Sequence, residues 1–346
     1  MVVNSQLKNK QAQSEVPVTA KELNHGRNVI DFLRFGFMAF VISMILVVVS
    51  IGVVIFKGFN LGQDFTGGTT IVVTFSKTVP LDDIRLELKK QGYGAPVVQS
   101  YGRSQDVMIR LPSAIHAGEE NSKESAKINS ELGGKIETLM HEHIDSQAKI
   151  KSLAFVGPTV GSELAQDGVL AICAALICIL IYIAFRFEWR FGTGAVVALA
   201  HDVIITAGYL SLFNRELDLT IIAAMLSIIG YSLNDTIVVF DRIRENFRKI
   251  RRATPYDVIN ISLTQTLSRT LMTSATTLAV VIILWIFGGN MLRGFSETLA
   301  VGIVLGTISS IYVAAYMSYK LGIKRDHFIH QKVEAEGADQ APILRY

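Results

Sequence analysis

The sequence predicts an α-helical integral membrane protein in which a small α+β module is inserted between the first two membrane helices. Half of the 346 residues are apolar and only 18% are charged, a composition that disfavours a soluble enzyme. Six apolar stretches are long enough to cross a bilayer, which requires roughly 20 residues. The segment between the first two stretches is long and polar enough to fold as a separate module.

The six predicted membrane spans follow the apolar stretches along the chain. They are Phe37–Phe56, Gly168–Phe185, Phe191–Phe213, Leu219–Phe240, Ser268–Phe287 and Ser296–Ser318. Basic residues of the short connections cluster on one side, most densely in Arg242–Arg252, whereas the turns on the other side hold only Arg215 and Arg293. The positive-inside rule therefore places both termini in the cytoplasm.

This topology divides the chain into five parts. They are a cytoplasmic segment at 1–36, the first span at 37–56, an extracytoplasmic module at 57–167, five further spans within 168–318, and a cytoplasmic tail at 319–346. The Arg242–Arg252 run is interpreted as an orientation signal at the anionic inner leaflet, so no nucleic-acid partner is predicted from it.

The inserted module alternates between strand and helix patterns. Strands are predicted at Thr69–Phe75, Ala95–Tyr101, Asp106–Leu111 and Ile150–Val156, helices at Leu81–Gln91 and Lys123–Ile144, and a loop from Pro112 to about Ser122. The order β-α-β-β-α-β is the ferredoxin-like arrangement. A fold this common hosts many functions and does not by itself predict one.

Two glycine-rich junctions connect the module to the membrane helices. The first contains Gly62, Asp64, Gly67 and Gly68, and the second contains Gly157, Pro158 and Gly161. Glycine permits turns and close backbone approach, and proline stiffens a bend. The junctions are either ordinary turns, which the spacing alone favours, or a paired hinge for movement of the module.

Ionisable residues lie inside three of the predicted spans. Asp235 follows Asn234 in the fourth span, Arg269 lies in the fifth, and His201 and Asp202 are adjacent in the third. At about 1.5 Å per helical residue, Asp235 and Arg269 fall at a similar depth in the cytoplasmic half, so an ion pair between them is geometrically feasible. The set is either a structural polar cluster or a proton relay, and the spacing leaves both open.

The sequence contains no nucleophile–base set, nucleotide motif or metal-ligand constellation. Neither an enzymatic activity nor a cofactor or metal is therefore predicted. Cys173 and Cys178 lie five residues apart in one span and are expected to be free thiols. Gly302 and Gly306 form a G-x-x-x-G pattern, which is typical of tight helix packing.

Several motifs occur together in a fixed order. They are LGQDFTGG at Leu61–Gly68, VGPTVG at Val156–Gly161, FRFEWR at Phe185–Arg190, AHD at Ala200–Asp202, IGYSLNDT at Ile229–Thr236, DRIREN at Asp241–Asn246 and LSRT at Leu267–Thr270. In combination, from about Leu23 to Leu321, they resemble the SecF family, the smaller partners of SecD in the bacterial Sec export system. Gln63 departs from the family pattern, where an aliphatic residue is expected.

The resemblance implies a transporter-like half-unit of the resistance-nodulation-division superfamily in the bacterial inner membrane, with the module at 57–167 facing the periplasm. It implies SecD, the SecYEG translocon, YajC and an unfolded exported polypeptide as partners, with membrane lipid around the helices. Proton flow would assist late steps of protein export, and Asp235 and Arg269 match the relay residues of the family. A further relay aspartate belongs to SecD and is absent from this chain.

Two other interpretations remain open at this point. The first is a proton-driven small-solute exporter subunit of the same superfamily, which would be expected to carry large outer domains with an apolar substrate pocket. The second is a structural membrane scaffold in which the polar residues only pack helices together.

Overall fold

The computed structural model describes residues 20–94, 96–112 and 122–328. Parts of the predicted cytoplasmic segments, namely residues 1–19 and 329–346, lie outside the described residues. The same holds for Ala95, which begins a predicted strand, and for the predicted loop from Pro112 to Ser122 apart from its two end residues.

Within the described residues, six helices are long and apolar enough to cross a membrane, which confirms the predicted class of helical membrane protein. In chain order the helices are α1 Ala20–Leu23, α2 Phe32–Lys57, α3 Gln63–Thr66, α4 Leu81–Lys90, α5 Ser122–His143, α6 Pro158–Arg186, α7 Trp189–Leu212, α8 Leu219–Lys249, α9 Pro255–Phe287, α10 Gly289–Ser309 and α11 Ala315–Lys320. A π-helical turn, Ser310–Ala314, joins α10 to α11. The spanning helices are α2, α6, α7, α8, α9 and the continuous α10–α11 unit.

Each spanning helix is longer than the apolar stretch that predicted it, and several continue onto polar residues at an end. Helix α8 extends beyond Phe240 to Lys249, where Glu245 binds Arg242 at 2.6 Å and Lys249 at 2.5 Å. Pairs three and four residues apart stabilise an exposed helix. The charged stretch after the fourth span is thus largely helical, not the loop that its polarity suggested.

The module between α2 and α6 has the element order β-α-β-β-α-β. Its strands are β2 Gly68–Thr74, β3 Val97–Tyr101, β4 Arg103–Leu111 and β5 Lys149–Val156, and its helices are α4 and α5. Two further short strands form a separate parallel pair: β1 Asn60–Leu61, which precedes α3, and β6 Glu216–Leu217, which lies between α7 and α8. The antiparallel sheet has the order β3-β4-β2-β5. Its buried face packs Ile71 and Ile109 against α4 and α5, which contribute Leu88 and Ile136. Helix α5 continues through Gly133 and Gly134 without interruption.

The spanning helices differ in how much of their surface the chain itself covers. Helices α2 and α6 are mostly exposed, whereas α7, α8 and the last span are more than half buried. The interior of the bundle is therefore formed mainly by α7, α8 and α10, with α9 packed beside them. The ionisable residues inside the predicted spans lie on these helices, except for Arg269 on α9.

Candidate functional site

Asp235 is buried in the bundle, where α8 packs against α10 and α9. Its Oδ2 accepts a hydrogen bond from the Ser310 hydroxyl at 3.0 Å. The buried Thr270 hydroxyl of α9 lies beside the carboxyl, without a hydrogen bond of standard geometry among the described residues. The carboxyl therefore has a neutral hydroxyl donor as its direct partner.

The structure does not form the predicted ion pair between Asp235 and Arg269. Arg269 is exposed at the bundle surface, and its charge lies within electrostatic range of the carboxyl. In the described part of the chain, however, no ion pair within 4.0 Å joins the two residues. Successive helical residues point about 100° apart, and Thr270 is the one that faces inward. Asn234, expected beside Asp235, is likewise exposed.

Asp202 is fully buried on α7 and is surrounded by donors from three helices. Its Oδ2 accepts hydrogen bonds from Ser232 of α8 at 2.5 Å and from Ser309 of α10 at 2.7 Å. Nδ1 of His201 lies 2.8 Å from Oδ1, and an N–H at this position would donate to the carboxylate. Nε2 of His201 is buried without a hydrogen-bond partner among the described residues.

The two carboxyls are linked by neighbouring residues. Ser309 and Ser310 are consecutive, and each donates to a different carboxylate. Hydroxyls also connect α8, α9 and α10 nearby, since Tyr231 donates to Ser274 at 2.9 Å and Ser274 lies 2.7 Å from Thr307. Among the described residues, hydroxyls therefore form most of the polar surroundings of the two acids, and His201 also contacts Asp202.

Tight packing of α10 on α8 brings these side chains within reach. A Cβ at Gly302 would meet Ile228 at 2.3 Å, and one at Gly306 would meet Ser232 at 3.1 Å. The G-x-x-x-G pattern thus marks the close helix contact that was predicted. Because Gly306 seats α10 directly against Ser232, Ser309 lies within hydrogen-bonding distance of the Asp202 carboxylate.

The two glycine-rich junctions pack directly against each other. Gly161 of α6 lies so close to the first junction that a Cβ there would meet Gly67 N and Phe65 O at 3.0 Å. Gly67 and Gly68 adopt positive φ angles of 68° and 123°, which favour glycine. Gly157 precedes α6, and Pro158 is its first residue, where a missing N–H costs nothing.

The first junction is also attached to the start of α8. The Gly62 N–H donates to Leu217 O at 2.7 Å, and β1 pairs in parallel with β6 just before α8. The Asp64 carboxylate accepts from the Leu219 N–H at 3.1 Å, so it helps to satisfy the first turn of the helix that carries Asp235. We call this assembly of both junctions and the residues 216–219 the clasp.

Two further contacts fasten the module to the clasp. Arg110 of β4 forms an ion pair with Glu216 of β6. Gln63, the residue that departed from the family pattern, is buried and donates to Gly68 O at 2.8 Å and to Ala154 O at 3.3 Å. An amide at this position therefore ties the first junction to the edge of the sheet.

Sequence reasoning missed the serines that hold both carboxyls. Ser232, Ser309 and Ser310 are all buried, and a small hydroxyl residue in an apolar span is common enough to attract no attention. One signal was available, because two consecutive serines closely follow Gly306 and Thr307 in a largely apolar stretch. Cys173 and Cys178 are free and exposed. The described residues contain no group of three potential metal ligands.

Comparison with known proteins places the chain in a family. The profile described as protein export membrane protein SecD/SecF, C-terminal, matches residues 135–324, and the SecD/SecF GG motif matches residues 52–79. The protein translocase subunit SecF of Escherichia coli O157:H7 is 53% identical over 94% of this chain and 98% of its own length. That of Vibrio alginolyticus is 49% identical over 90% of this chain and 95% of its own length.

Solved structures agree with the sequence comparisons. The crystal structure of SecDF from Thermus thermophilus, a translocon-associated membrane protein, superposes with a TM-score of 0.72 at 35% identity and covers 85% of this chain. A super-membrane-facing form of SecDF gives a TM-score of 0.62. This chain spans 39% of either SecDF chain. On its sequence matches and its fold, the chain belongs to the SecF family of protein translocase subunits.

Proposed function

We propose that this chain, together with a SecD partner, couples proton flow to late steps of protein export. Family membership supports a role in the Sec pathway. The observation that carries the proton coupling is the pair of buried carboxyls, Asp202 and Asp235, held by serine hydroxyls in the bundle interior. Acids inside a membrane are costly and mark ion or proton pathways.

Protonation of Asp235 would change the contacts between helices. The ionised carboxylate accepts a hydrogen bond from the Ser310 hydroxyl of the last span and is attracted electrostatically by the positive charge of Arg269. A bound proton removes the charge and weakens both attractions, because hydrogen bonds to ionised groups are about twice as strong as neutral ones. A membrane potential of about 100 mV supplies roughly 2.3 kcal/mol per charge moved across the membrane, enough to bias two arrangements of α8 and α10.

The clasp is the proposed route from this site to the module. Asp64 bonds the first turn of α8, so a movement of α8 acts directly on the first junction. Gly161 seats the second junction against the first, so both connections of the module would move together. The clasp thus acts as the hinge of a ferredoxin-like, periplasmic domain, an assignment that the element order and sheet order support.

The location and partners of the chain are part of the same proposal. The chain would be a multi-pass protein of the bacterial inner membrane with both termini in the cytoplasm, as the charge distribution supports. The exposed apolar surfaces of α2 and α6 suit lipid and the SecD half. SecYEG and YajC would be further partners, and the module would meet the unfolded exported polypeptide. The proposal includes no enzymatic activity, cofactor or nucleic acid.

The rival proposal, a small-solute exporter, lacks a supporting observation. It requires outer domains that enclose an apolar substrate pocket. The interior of this module is filled by its own side chains, including Ile71, Leu88 and Met140. The proton-coupled export subunit therefore remains the better supported function.

The test is export into inverted membrane vesicles that contain SecYEG, SecD and variants of this chain. Asp235→Asn is expected to abolish the stimulation of export by a proton gradient and to leave gradient-independent export unchanged. Asp241→Asn is the matched control. It alters another carboxylate of α8, which pairs with Arg186 at 2.7 Å and lies outside the group of buried acids and serines. Full gradient stimulation in Asp235→Asn would refute the proposal.

A further inference from the structure

Two consecutive buried serines stand between the two buried carboxyls. Ser309 donates to Asp202 at 2.7 Å and Ser310 donates to Asp235 at 3.0 Å. Both serines are fully buried, and Ser310 begins the π-helical turn that joins α10 to α11. We propose that Ser309 and Ser310 form a hydroxyl bridge that couples protonation of Asp202 to protonation of Asp235, with the π-helical turn as the responding element. This inference rests on the proposed function.

Each serine has a second acceptor within reach. Ser309 Oγ lies 3.2 Å from Gly306 O, and Ser310 Oγ lies 3.0 Å from Thr307 O. A hydroxyl carries one proton and donates fully to one acceptor at a time. An ionised carboxylate attracts that proton more strongly than a carbonyl does, whereas a protonated carboxyl loses this advantage. The protonation state of each acid therefore selects the partner of its serine.

The hydrogen-bond partner that each serine selects affects the main chain at the end of α10, where the helix is already irregular. Gly306 O also accepts the main-chain N–H of Ser310 at the end of α10. A serine hydroxyl that bonds a carbonyl of the preceding turn competes with helical bonding and bends helices. Isolated π-helical turns are rare and are frequently found at functional sites. Because the two serines are neighbours, a backbone change that follows one acid repositions the hydroxyl on the other.

The ionisable groups around the bridge come from the helices packed against it. Helix α7 contributes His201 and Asp202, α8 contributes Tyr231 and Asp235, α9 contributes Arg269, and the π-helical turn with α11 contributes Tyr312 and Tyr316. Helix α2 also packs on the turn and carries no ionisable residue between Phe35 and Phe56. Of these groups, the two acids contact the bridge serines directly, and His201 contacts Asp202.

The test is an infrared titration of the full chain in lipid nanodiscs, following the carboxyl band that Asp235→Asn removes. Two groups titrate as a coupled pair when they interact by more than about one pK unit. Asp202→Asn is expected to move the Asp235 midpoint by at least that amount when both serines are present. When Ser309→Ala and Ser310→Ala are both present, the change in the Asp235 midpoint caused by Asp202→Asn is expected to be less than half of the change seen with both serines.

The control is Ser296→Ala, which removes a buried α10 hydroxyl that donates to the carbonyl of its own helix at Leu292. This variant is expected to keep the full shift. Each single alanine variant breaks one arm of the bridge and is expected to reduce the shift, so the inference remains testable if the double variant does not assemble. An unchanged shift without the serines would mean that the acids interact only by direct repulsion, and would overturn the bridge.

The titration tests the serine bridge and the export assay tests the proposed function, so a negative result in one does not imply a negative result in the other. Loss of coupling in the alanine background supports the bridge whether or not Asp235→Asn affects export. Full gradient stimulation of export in Asp235→Asn would remove the proposed function and leave the titration to decide the bridge by itself.

Discussion

Removal of the Asp202 carboxyl gives a stability prediction that follows directly from the hydrogen bonds. In Asp202→Ala, Ser309 can turn to Gly306 O, which lies at 3.2 Å. Ser232 and Nδ1 of His201 lose the partner that they contact at 2.5 Å and 2.8 Å. A buried polar group left unsatisfied costs about 1–3 kcal/mol, so two such groups predict a loss of about 2–6 kcal/mol. The variant no longer buries a carboxylate, which offsets part of this cost, so the loss of stability is expected in the lower part of the range.

A set of variants separates this explanation from general damage to the core. Asp202→Asn keeps the shape and an acceptor oxygen, so its loss is expected to be about 1 kcal/mol, close to one membrane hydrogen bond. Combining Asp202→Ala with Ser232→Ala and Ser309→Ala removes two of the three donors together with the acceptor and leaves Nδ1 of His201 unsatisfied. The triple variant should therefore recover part of the lost stability, because replacing a donor and its acceptor by apolar groups is nearly neutral.

The assay is reversible unfolding of the purified full chain in mixed micelles, with the free energy of unfolding extrapolated to the native condition. The reasoning would be refuted if Asp202→Ala were as stable as the unmodified chain. It would also be refuted if the triple variant were less stable than Asp202→Ala alone, since the serines would then contribute through contacts other than the carboxylate.

Two further predictions concern the clasp and the module. Gly161→Ala places a methyl group 3.0 Å from Gly67 N and Phe65 O, and overpacking of this kind costs about 1–3 kcal/mol; amide exchange at Phe65–Gly67 should accelerate. Gly134→Ala, whose methyl group would meet nothing within 4 Å, should leave exchange in the clasp unchanged, and equal exchange in both variants would contradict the packed clasp. Hydrogen bonds from Lys151 and then from Thr74 hold the pKa of Asp106 below its ordinary value of 3.8, so this carboxylate stabilises the sheet above pH 3.8 and the contribution is lost as the pH falls through the lowered pKa. Asp106→Asn should therefore weaken the acid sensitivity of amide exchange in β2 and β4, and an unchanged acid profile would count against the assignment.

Apolar length and charge were sufficient to predict the membrane helices and the order of elements in the module. The length of an apolar stretch predicts a span, and the hydrophobic period distinguishes the strands of the module from its helices; both of these signals are local. The ends of the helices were less predictable. The charged stretch after Phe240 looked like a loop, yet its pairs at helical spacing extend α8 to Lys249.

The partner of Asp235 could not be predicted from depth in the membrane. Asp235 and Arg269 lie at comparable positions along their helices, but the rotation of each helix decides which side chain faces inward. Close packing at Gly302 and Gly306 holds α10 against α8, and Ser310 instead of Arg269 is the direct partner of the carboxyl. The clasp was hidden for a similar reason, since Gly161 and Gly67 are far apart in sequence and meet only after the module has folded.

Proton flux through proteoliposomes that contain this chain and SecD tests the central claim most directly. An imposed pH gradient should drive measurable flux with the unmodified chain and with Asp241→Asn. Asp235→Asn should reduce the flux to that of liposomes containing SecD alone, because its amide cannot bind and release the proton. Flux in Asp235→Asn equal to that of the unmodified chain would contradict proton coupling through this site.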